Sequence, residues 1–529
     1  MRQGRRRRGR LPSFCIKNKK YIPINAGRGG DEKMEGLRPI GTRIQIIRGA
    51  SAQKLLDEIK ALSQSETDKV DSGIRPVSVS RRPLSGSLEW IEIRFSEKNP
   101  QVQDGNNSFH TINGHLGEFL ASPIAKRQKR LSISGLNAVL ASDGVEPQLT
   151  RSNRRLLRRF VVQVFHLKAT YMAELGVGGT RRPLPQGEEG RRTLLERRLE
   201  KTAIRALYAL QLEMGEVTLQ AGEDGRFTVE QVTASPDYRT EERVMLAANA
   251  MWETAEELRK HQGAAKESGP ALLLGMDPEF LLFNRATGKV VPASRYLGFS
   301  GEAGCDSLRY RGERRFPLVE LRPQPAGEPR EVLVQLLHAF RVAYRSIEDK
   351  KLLWQAGGMP QRGFPLGGHI HFSGIPLTFQ LLQVLDNYLA LPVAAMEDRR
   401  SFGRRPLYGY LGDFRLQPHG GFEYRTLPSF LISPVVTKGV VAIAALIAGN
   451  AGQLPRRPLH DEGLHAAFYQ GNQERLREVL PQLHDDLKKL ADYPRYEGYI
   501  TPFMEAACSG RTWDETVDIR RSWKLENHS

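Results

Sequence analysis

The sequence predicts an α+β protein built on a curved, mostly antiparallel sheet, and three observations support that fold class. Between residues 274 and 428, short apolar segments carry polar side chains at every second position, which is the period of a β-strand. Amphipathic helices of ordinary length are expected among these segments, at 331–347 and 377–396. The 529 residues include 50 glycines and 31 prolines, and 40% are apolar, a composition typical of globular proteins with long loops.

A further α+β region is expected before residue 265. Its expected elements are a helix at 52–63, a strand at 88–95, helices at 151–175 and 193–214, strands at 216–220 and 226–232, and a helix at 244–262. The helix at 151–175 is predicted because Leu157, Phe160, Val161 and Val164 recur at helical spacing. Gly215 is expected to act as the C-terminal cap of the helix at 193–214.

The helix at 193–214 and the two strands after it resemble the closing part of an ATP-grasp domain. In that family the second strand ends in a glutamate and an asparagine that hold magnesium. Glu230 matches the glutamate, whereas Val232 stands where the asparagine is expected. A degenerate ATP-grasp-like or unrelated α+β module is therefore expected here, without a working ATP-grasp site.

The sequence also argues against several classes of protein. No apolar run reaches the roughly 18 residues that a membrane span needs, and the most apolar stretch, 440–449, is expected to be a buried helix. The three cysteines, Cys15, Cys305 and Cys508, are odd in number and far apart, which argues against a disulfide framework and a cysteine-based zinc cluster. A reducing, cytoplasmic compartment is therefore expected.

Positive charge is concentrated near the N-terminus. Lys and Arg number 78 against 60 Asp and Glu, and half of the excess of +18 lies in residues 1–20, which contain no acid. A second basic cluster lies within 126–159. The pattern indicates either weak binding to a polyanion through phosphate contacts or a solvated tail and helix face. The second interpretation is favoured, because neither stretch interleaves aromatic residues as a base-stacking surface would.

Four short segments share one arrangement, in which two polar side chains lie two positions apart between apolar neighbours. The pairs are Asp277 and Glu279, Glu320 and Arg322, His369 and His371, and Glu423 and Arg425. Alternate side chains of a strand point to the same face, so each pair is expected to share a face, with Asp277 and Glu279 on a single strand at 274–283. Together the four segments predict a sheet face that gathers carboxylates, imidazoles and guanidinium groups.

Such a face is costly to bury unless ions or charged substrates compensate its charge. Carboxylates with an imidazole and no thiolate suit Mg²⁺ or Mn²⁺ better than zinc or copper. Arginines beside these ions indicate phosphate groups, and the combination is typical of phosphoryl transfer. The pattern G-x-x-x-x-G-K-[ST] does not occur in the sequence, so the protein is not expected to be a P-loop enzyme.

The four segments, at 274–283, 316–323, 367–372 and 421–428, resemble the glutamine synthetase superfamily in that chain order. More narrowly, they are similar to its phage-type amidoligases, a group of carboxylate–amine ligases related to glutamate–cysteine ligase. The resemblance covers about a third of the chain. It implies a glutamine synthetase-like catalytic domain that uses ATP with Mg²⁺ or Mn²⁺.

The resemblance also implies a set of metal ligands. Glu279 matches a metal-holding glutamate on the first strand, and Asp277 matches a neighbouring group that supports it or holds a second metal ion. Glu320 and His369 match the next two metal ligands. Glu423 matches the glutamate on the metal that grips the transferred phosphate.

The other site residues carried over by the resemblance concern the nucleotide and the substrates. His371 matches the histidine near the nucleotide phosphates. Arg425 matches the arginine that stabilises charge on the transferred phosphoryl group, and Arg322 is expected to assist it. Asp306 is a candidate for gripping the amine substrate.

The function expected from these residues is ATP-dependent formation of an amide or peptide bond through an acyl phosphate, with small-molecule or peptide carboxylates and amines as substrates. Two alternatives stay open: a kinase that stops at phosphoryl transfer, and a basic nucleic-acid-binding protein whose ligase domain is inert. The expected domains are a basic N-terminus at 1–45, an α+β region at 46–262, the catalytic domain at 265–460 and a C-terminal helical cap at 461–529.

Overall fold

The computed structural model describes residues 41–47, 50–67, 74–83, 89–97, 110–141, 157–184, 192–267, 272–310 and 313–525. The basic residues 1–20 and part of the second basic cluster, 151–156, lie outside these ranges, as does Cys15. The prediction of polyanion binding by the N-terminus therefore stays a prediction. Residues 37–529 form one compact unit.

Nineteen strands are present in the described part of the chain. They are β1 Gly41–Ile47, β2 Ile74–Pro83, β3 Glu89–Glu97, β4 His110–Ile112, β5 Asn137–Ala138, β6 Arg159–Phe165, β7 Lys168–Leu175, β8 Arg181–Pro183, β9 Met214–Ala221, β10 Phe227–Thr233, β11 Leu273–Met276, β12 Glu279–Asn284, β13 Lys289–Val291, β14 Ala303–Tyr310, β15 Glu313–Leu321, β16 Leu353–Gln355, β17 Ile370–Ser373, β18 Phe414–Leu416 and β19 Phe422–Tyr424.

The helices of the same described ranges follow the order of the chain. They are α1 Ala50–Thr67, α2 Leu116–Ala121, α3 Ile124–Ile133, α4 Leu194–Ala209, α5 Glu241–Glu267, α6 Pro329–Ser346, α7 Phe379–Leu385, α8 Leu391–Ala394, α9 Pro434–Asn450, α10 Glu462–Gln470, α11 Gln473–Arg477, α12 Leu480–Lys488, α13 Tyr493–Cys508 and α14 Ile519–Trp523. A π-helical turn, Asp386–Ala390, joins α7 to α8.

Two sheets make up the N-terminal half. The first has the strand order β2-β3-β1-β4, and α1 and α5 pack together beside it over a core that includes Ile44, Leu55, Ile93 and Trp252. The second has the order β5-β10-β9-β6-β7-β8, and α4 packs on it. Most neighbouring strands are antiparallel, and the parallel pairs are β1–β4 and β10–β5.

The prediction of a helix at 151–175 is wrong, because residues 159–175 form the antiparallel hairpin β6–β7. Residues 160–165 are buried without interruption, so both faces of β6 are covered. A strand buried on both faces has a continuous apolar run, which periodicity alone does not distinguish from a helix. Burial on both faces in the tertiary structure therefore determined that this segment forms strands and not a helix.

The helix predicted at 193–214 is present but ends earlier. Thr193 caps its start by accepting from the Glu196 N–H, and Glu196 reaches back to the Thr193 N–H. The helix ends at Ala209, and Gln211, with φ of 62°, takes the left-handed position after it. Gly215 is not the cap, because it lies inside β9. A Cβ there would meet the Thr233 carbonyl at 2.7 Å and a Leu207 methyl at 2.8 Å, so this glycine allows α4 to approach the sheet.

The C-terminal half is built on two antiparallel sheets. One has the order β11-β17-β19-β18, and the other has the order β13-β12-β15-β14, with β16 also paired to β12. The prediction of an α+β fold with mostly antiparallel sheets is confirmed. Helices α6, α7, α9 and α13 pack around a common core behind these strands. The predicted helices at 331–347 and 377–396 are α6 and the α7–α8 segment.

Helix α9 contains the apolar stretch that the sequence predicts as a buried helix, and this prediction is confirmed. Among the described residues, Pro434–Gln453 is the one helical segment long and apolar enough on average to cross a membrane, although Lys438 interrupts its apolar run, and 67% of its most apolar 18-residue window is buried inside the protein. It packs against α13, α6 and α7. Gly439 lies against the Phe503 side chain, where a Cβ would overlap the ring.

Two described arginines of the second basic cluster make contacts within the fold. Arg130 donates from Nε to the Ala209 carbonyl (2.5 Å) and from Nη1 and Nη2 to the carbonyls of His460 and Leu459 (3.1 and 3.0 Å). Burial lowers the pKa of Arg130 to about 10. Arg159 pairs with Glu230, its Nε lying 2.5 Å from Oε2. These arginines therefore hold the fold together, and Glu230, the residue matched to an ATP-grasp metal ligand, is occupied by an ion pair.

Candidate active site

The site begins at a bend between β11 and β12. Asp277 and Pro278 separate the two strands, so the prediction that Asp277 and Glu279 share one strand is wrong. Proline has no N–H for a ladder hydrogen bond, and the chain passes here from one sheet to the other. The Asp277 and Glu279 N–H groups donate to the carbonyls of His369 (3.3 Å) and Gly367 (3.0 Å), so the two sheets adjoin at this point.

The first group of polar side chains, called here the histidine cluster, consists of Asp277, His369, His371 and Glu423. The Asp277 carboxylate lies 2.9 Å from His369 Nδ1 and 3.1 Å from His371 Nε2. Glu423 Oε1 lies 3.4 Å from His371 Nε2 and 3.9 Å from His369 Nδ1. Register explains the contact, because His371 is opposite Glu423 on the paired strands β17 and β19. Asp277, His369 and Glu423 are close enough to hold one metal ion.

Two arginines neutralise the fully buried Glu423. Arg425 Nη1 donates to Glu423 Oε2 at 2.9 Å, and Arg415, opposite Glu423 on β18, contacts the same carboxylate. Strand parity is confirmed here, since Glu423 and Arg425 lie on the same side. Arg415 was missed by sequence reasoning, because its segment carries no motif and its partner is identified only by the pairing of β18 with β19.

The second group, called here the carboxylate cluster, consists of Glu279, Asp306 and Glu320. Glu279 is opposite Glu320 on the paired strands β12 and β15, and Asp306 comes from the neighbouring strand β14. One carboxylate oxygen of each lies within 4.8 Å of the others. Arg322 contacts Glu320, and the Gly367 N–H donates to Glu279 Oε2 at 2.6 Å. The sequence matched Asp306 to an amine-binding role, whereas the structure places it beside the two glutamates.

The negative charge of the carboxylate cluster is only partly compensated, since Arg322 is the cation that contacts it. Burial raises the pKa of Glu320 to about 7, and the negative charges of Asp277 and Asp306 add to the effect while Arg322 opposes it. Burial also raises the pKa of Glu279 well above its usual value, again with help from neighbouring carboxylates. A divalent cation with oxygen ligands would relieve this repulsion.

The histidine cluster is balanced differently. Burial disfavours the charged form of Asp277, but His369 and His371 more than compensate and hold the pKa of that carboxyl well below its usual range. Burial by itself would lower the pKa of His371, but Asp277 and Glu423 raise it. With Arg415 and Arg425 beside it, this end of the site is the more cationic one.

All three members of the carboxylate cluster, together with Asp277 and His369 of the histidine cluster, line one cleft. Its wall also includes Arg404, Tyr408, Asp413, Arg415 and Arg425. Arg404 is 4% exposed and donates to the carbonyls of Thr426 (3.1 Å) and Leu427 (2.8 Å). Sequence reasoning missed Arg404, Tyr408 and Asp413 because they lie in a loop segment without strand periodicity.

The opposite side of the strands is apolar, apart from one polar group. Phe372 and Phe422 stack with ring centroids 5.1 Å apart, and Tyr424 is completely buried. The Tyr424 hydroxyl donates to Asp386 Oδ1 at 2.7 Å, and the Tyr208 hydroxyl donates to Asp386 Oδ2 at 2.6 Å. Burial raises the pKa of Asp386 to about 7. Tyr424 therefore faces away from the cleft, as strand parity predicts.

Gly304 determines where Arg322 can lie. The Arg322 guanidinium occupies the place that a Gly304 side chain would take, and its Nη1 also donates to the Phe299 carbonyl at 3.3 Å. A methyl group here would displace the flexible end of Arg322 from Glu320, and it would also lie 3.2 Å from the Gly298 carbonyl.

Gly304→Ala is therefore expected to reduce turnover in the same way as Arg322→Ala while the fold is retained. Loss of one charged hydrogen bond is worth about 1.5–3 kcal/mol, which corresponds to roughly a 10–100-fold lower kcat. Steady-state kinetics on both single variants and the double variant would measure it. If the losses of kcat in Gly304→Ala and Arg322→Ala add up in the double variant, the two substitutions do not act through the same loss of the Arg322 contact with Glu320.

Comparison with protein families identifies the C-terminal half. The family model described as "Phage phiEco32-like COOH.NH2 ligase-type 2" matches residues 274–525, just under half of the chain. The recognition of a phage-type carboxylate–amine ligase domain from four short segments is confirmed for these residues. The match extends through the segment at 461–525 that the sequence predicts as a separate helical cap.

Two solved structures share limited similarity with the chain. The crystal structure of a bifunctional glutathione synthetase from Pasteurella multocida aligns at 12% identity with a TM-score of 0.28, covering 50% of this chain and 53% of that one. The cryo-EM structure of Plasmodium falciparum glutamine synthetase aligns at 10% identity with a TM-score of 0.24, covering 61% and 77%. The chain thus spans about half the length of the first. Comparison with curated proteins gives no match.

Proposed function

From the match of residues 274–525 to a COOH–NH2 ligase family, we propose that the protein joins a substrate carboxylate to an amine using ATP, with Mg²⁺ or Mn²⁺. The substrates are small molecules or peptides. The observation that supports this proposal best is the concentration of charged groups in one cleft, where the three crowded carboxylates lie alongside Asp277, His369, Arg415 and Arg425.

The reaction has two steps. A carboxylate oxygen of the substrate attacks the γ-phosphorus of ATP, ADP leaves, and an acyl phosphate forms. The amine nitrogen then attacks the acyl carbon and loses a proton, the C–O bond to phosphate breaks, and an amide and inorganic phosphate are released. Each step develops negative charge on phosphate oxygens, which positioned cations stabilise.

The donor atoms of the two clusters suit different tasks. Glu279, Asp306 and Glu320 supply the oxygen ligands that Mg²⁺ prefers, and Asp277, His369 and Glu423 are a second candidate set. A metal ion held there would neutralise phosphate oxygens. We propose that His371 and Arg425, at the cationic end, bind the nucleotide phosphates, and that Arg322, which contacts Glu320, supports the same charge.

The test is a coupled assay of ADP and phosphate release by the full chain, with pooled carboxylates and amines supplied together or separately. A ligase requires both substrates for sustained turnover. Turnover with a carboxylate or another acceptor alone would identify a kinase, and no turnover under any combination would contradict the proposal. Glu313→Gln, an exposed glutamate on β15, is the matched control for variants of the buried Glu320.

Nucleotide binding is expected to require Mg²⁺ or Mn²⁺, because the carboxylate cluster repels phosphate unless a hard cation neutralises it. Titration of ATP into the protein with magnesium, with EDTA, and with a zinc-selective chelator measures this dependence. Binding should disappear with EDTA and persist with the zinc chelator. Equal affinity for ATP in EDTA would contradict the assignment.

Deletion of residues 1–20 is expected to leave ligase turnover intact and to weaken binding to polyanions such as heparin. Half of the excess positive charge lies in this segment, whereas the described cleft is built from residues 277–425. Turnover and heparin affinity, measured on both chains at two salt concentrations, separate the two roles. Loss of turnover in a chain that still folds would show that the segment contributes to the site.

A further inference from the structure

Three polar side chains meet where the first sheet adjoins the second, away from the cleft. His110 begins β4, His166 lies in the turn between β6 and β7, and Glu213 precedes β9. A ring nitrogen of each histidine and a carboxylate oxygen of Glu213 all lie within 4.8 Å of one another. His110 and Glu213 are each 6% exposed and the His166 side chain is 7% exposed.

The histidines of this group lack the partners that buried nitrogens normally have. His110 Nε2 and both ring nitrogens of His166 are buried without a hydrogen bond. His166 Nδ1 lies 3.7 Å from Glu213 Oε1, which is too far for one. The two rings are nearly perpendicular, with centroids 5.6 Å apart. Unpaired buried polar groups cost about 1–3 kcal/mol each, so three in one place indicate a missing partner.

The surrounding residues hold Glu213 in one orientation. The Asn113 N–H donates to Glu213 Oε2 at 2.7 Å, and the Asn113 side-chain oxygen accepts from the N–H groups of Glu213 and Met214, both at 2.9 Å. Glu213 Oε1 is left facing His166. The His166 N–H also donates to the Glu213 carbonyl at 2.8 Å. Such supporting contacts are typical of the residues around a metal ligand.

The backbone at His166 is in an unusual conformation. His166 and Leu167 have φ of 44° and 66°, so two residues other than glycine occupy the left-handed positions of a two-residue hairpin turn. Asn and Gly are the residues that normally fill these positions, and strain of this kind clusters at functional sites. On the other side, the Gln380 side chain lies next to the His110 ring.

We infer that His110, His166 and Glu213 bind a zinc ion that fastens the first sheet to the second. Two imidazoles and a carboxylate are a ligand set that zinc takes, with water as the fourth ligand, at metal–ligand distances of about 2.0–2.2 Å. All three side chains are buried, and the neighbouring residues Phe165 and Met214 belong to the core of the first sheet, so an ion here would link the two sheets. The ion is distinct in kind from the hard cation proposed for the carboxylate cluster.

Zinc binding to the full chain, freed of any histidine tag, tests this inference. After removal of metal with EDTA, zinc is titrated in competition with a chromophoric chelator in the His369→Ala/His371→Ala background, which removes the imidazoles of the cleft. One equivalent should bind. Cobalt in place of zinc should give the visible absorption bands of a tetrahedral site.

His166→Asn keeps a residue that tolerates the turn, and Glu213→Gln keeps the shape of the side chain. Each should weaken zinc binding by more than the roughly 10–100-fold loss typical of changes to supporting residues, and Gln380→Ala should fall within that range. His115→Asn, in the same segment but partly exposed, should bind zinc normally. Zinc should raise the melting temperature of the parent chain but not that of His166→Asn.

Two results would overturn the inference: no zinc bound in the His369→Ala/His371→Ala background, or unchanged affinity in His166→Asn and Glu213→Gln. If His166→Asn or Glu213→Gln fails to fold, Gln380→Ala is used in its place. Unchanged zinc affinity in Gln380→Ala, together with no cobalt absorption bands in the parent chain, would also overturn the inference. None of these measurements uses ligase turnover, so their outcome is independent of the proposed function.

Discussion

Arg425→Ala is expected to lower kcat by on the order of 10²–10³, as loss of one charge-stabilising donor commonly does, while the affinity for nucleotide stays nearly unchanged. Arg425 lies at the cationic end of the cleft and donates to Glu423 at 2.9 Å. Its proposed role is complementary to the charge that develops during phosphoryl transfer, so its loss affects the transition state more than the bound ground state. Its backbone N–H donates to the Asp413 carbonyl at 2.9 Å and is retained in the variant.

Glu423→Ala and Tyr424→Phe are the comparisons that make this result specific. Glu423→Ala removes the carboxylate on which His371, Arg415 and Arg425 converge, so it should reduce both nucleotide affinity and kcat. Tyr424→Phe removes a hydroxyl on the other side of β19, so kcat should be almost unchanged. Steady-state kinetics and nucleotide titration on the three variants distinguish them. A near-normal kcat in Arg425→Ala, or a large loss of kcat in Tyr424→Phe, would contradict the assignment of the site to the side of β19 that carries Glu423.

Glu320→Gln is expected to abolish most activity and yet to stabilise the metal-free protein at pH 8. Because Glu320 is a proposed ligand of the hard cation, Glu320→Gln should lower activity by more than the roughly 10–100-fold loss that changes to supporting residues produce. Without metal, its ionised form is repelled by Asp277 and Asp306 in a buried place. Glutamine keeps the shape of the side chain and removes that charge.

The pH dependence follows from the raised pKa of Glu320. Below the unfolded value of 4.5 the group is protonated in both states, and as pH rises to about 7 the unfolded chain releases the proton while the folded protein retains it. The free energy of unfolding therefore falls over this window by about 3 kcal/mol, because each tenfold difference in proton affinity between the two states is worth about 1.4 kcal/mol. Glu320→Gln should not lose stability over this window. The variant should therefore be more stable than the parent chain at pH 8 and equally stable near pH 4.

Urea unfolding in EDTA at both pH values measures this difference, with Glu313→Gln, on the exposed part of β15, as the control. Magnesium should then stabilise the parent chain and the control but not Glu320→Gln, because ligand binding to the folded state alone raises its stability. A Glu320→Gln variant that is active, or that gains nothing at pH 8 in EDTA, would contradict the role of this carboxylate.

The polar pairs of the site could be predicted from the sequence because side-chain direction along a strand is a local property. Alternation placed His369 with His371 and Glu423 with Arg425, and put Tyr424 on the buried side, as the structure has them. The resemblance of the four short segments, in their chain order, was sufficient to recognise the ligase family before any strand was paired.

Tertiary structure alone decided which pairs became neighbours. The bend at Asp277 and Pro278 sends Asp277 to the histidine cluster and Glu279 to the carboxylate cluster, where Asp306 joins it from another strand. The segment at 159–175 became a hairpin because both faces of β6 are covered, a fact that the apolar run does not contain. His110, His166 and Glu213 are separated by up to 103 residues and converge only where two sheets meet. Periodicity acts over a few residues, whereas strand pairing and burial depend on contacts between distant parts of the chain.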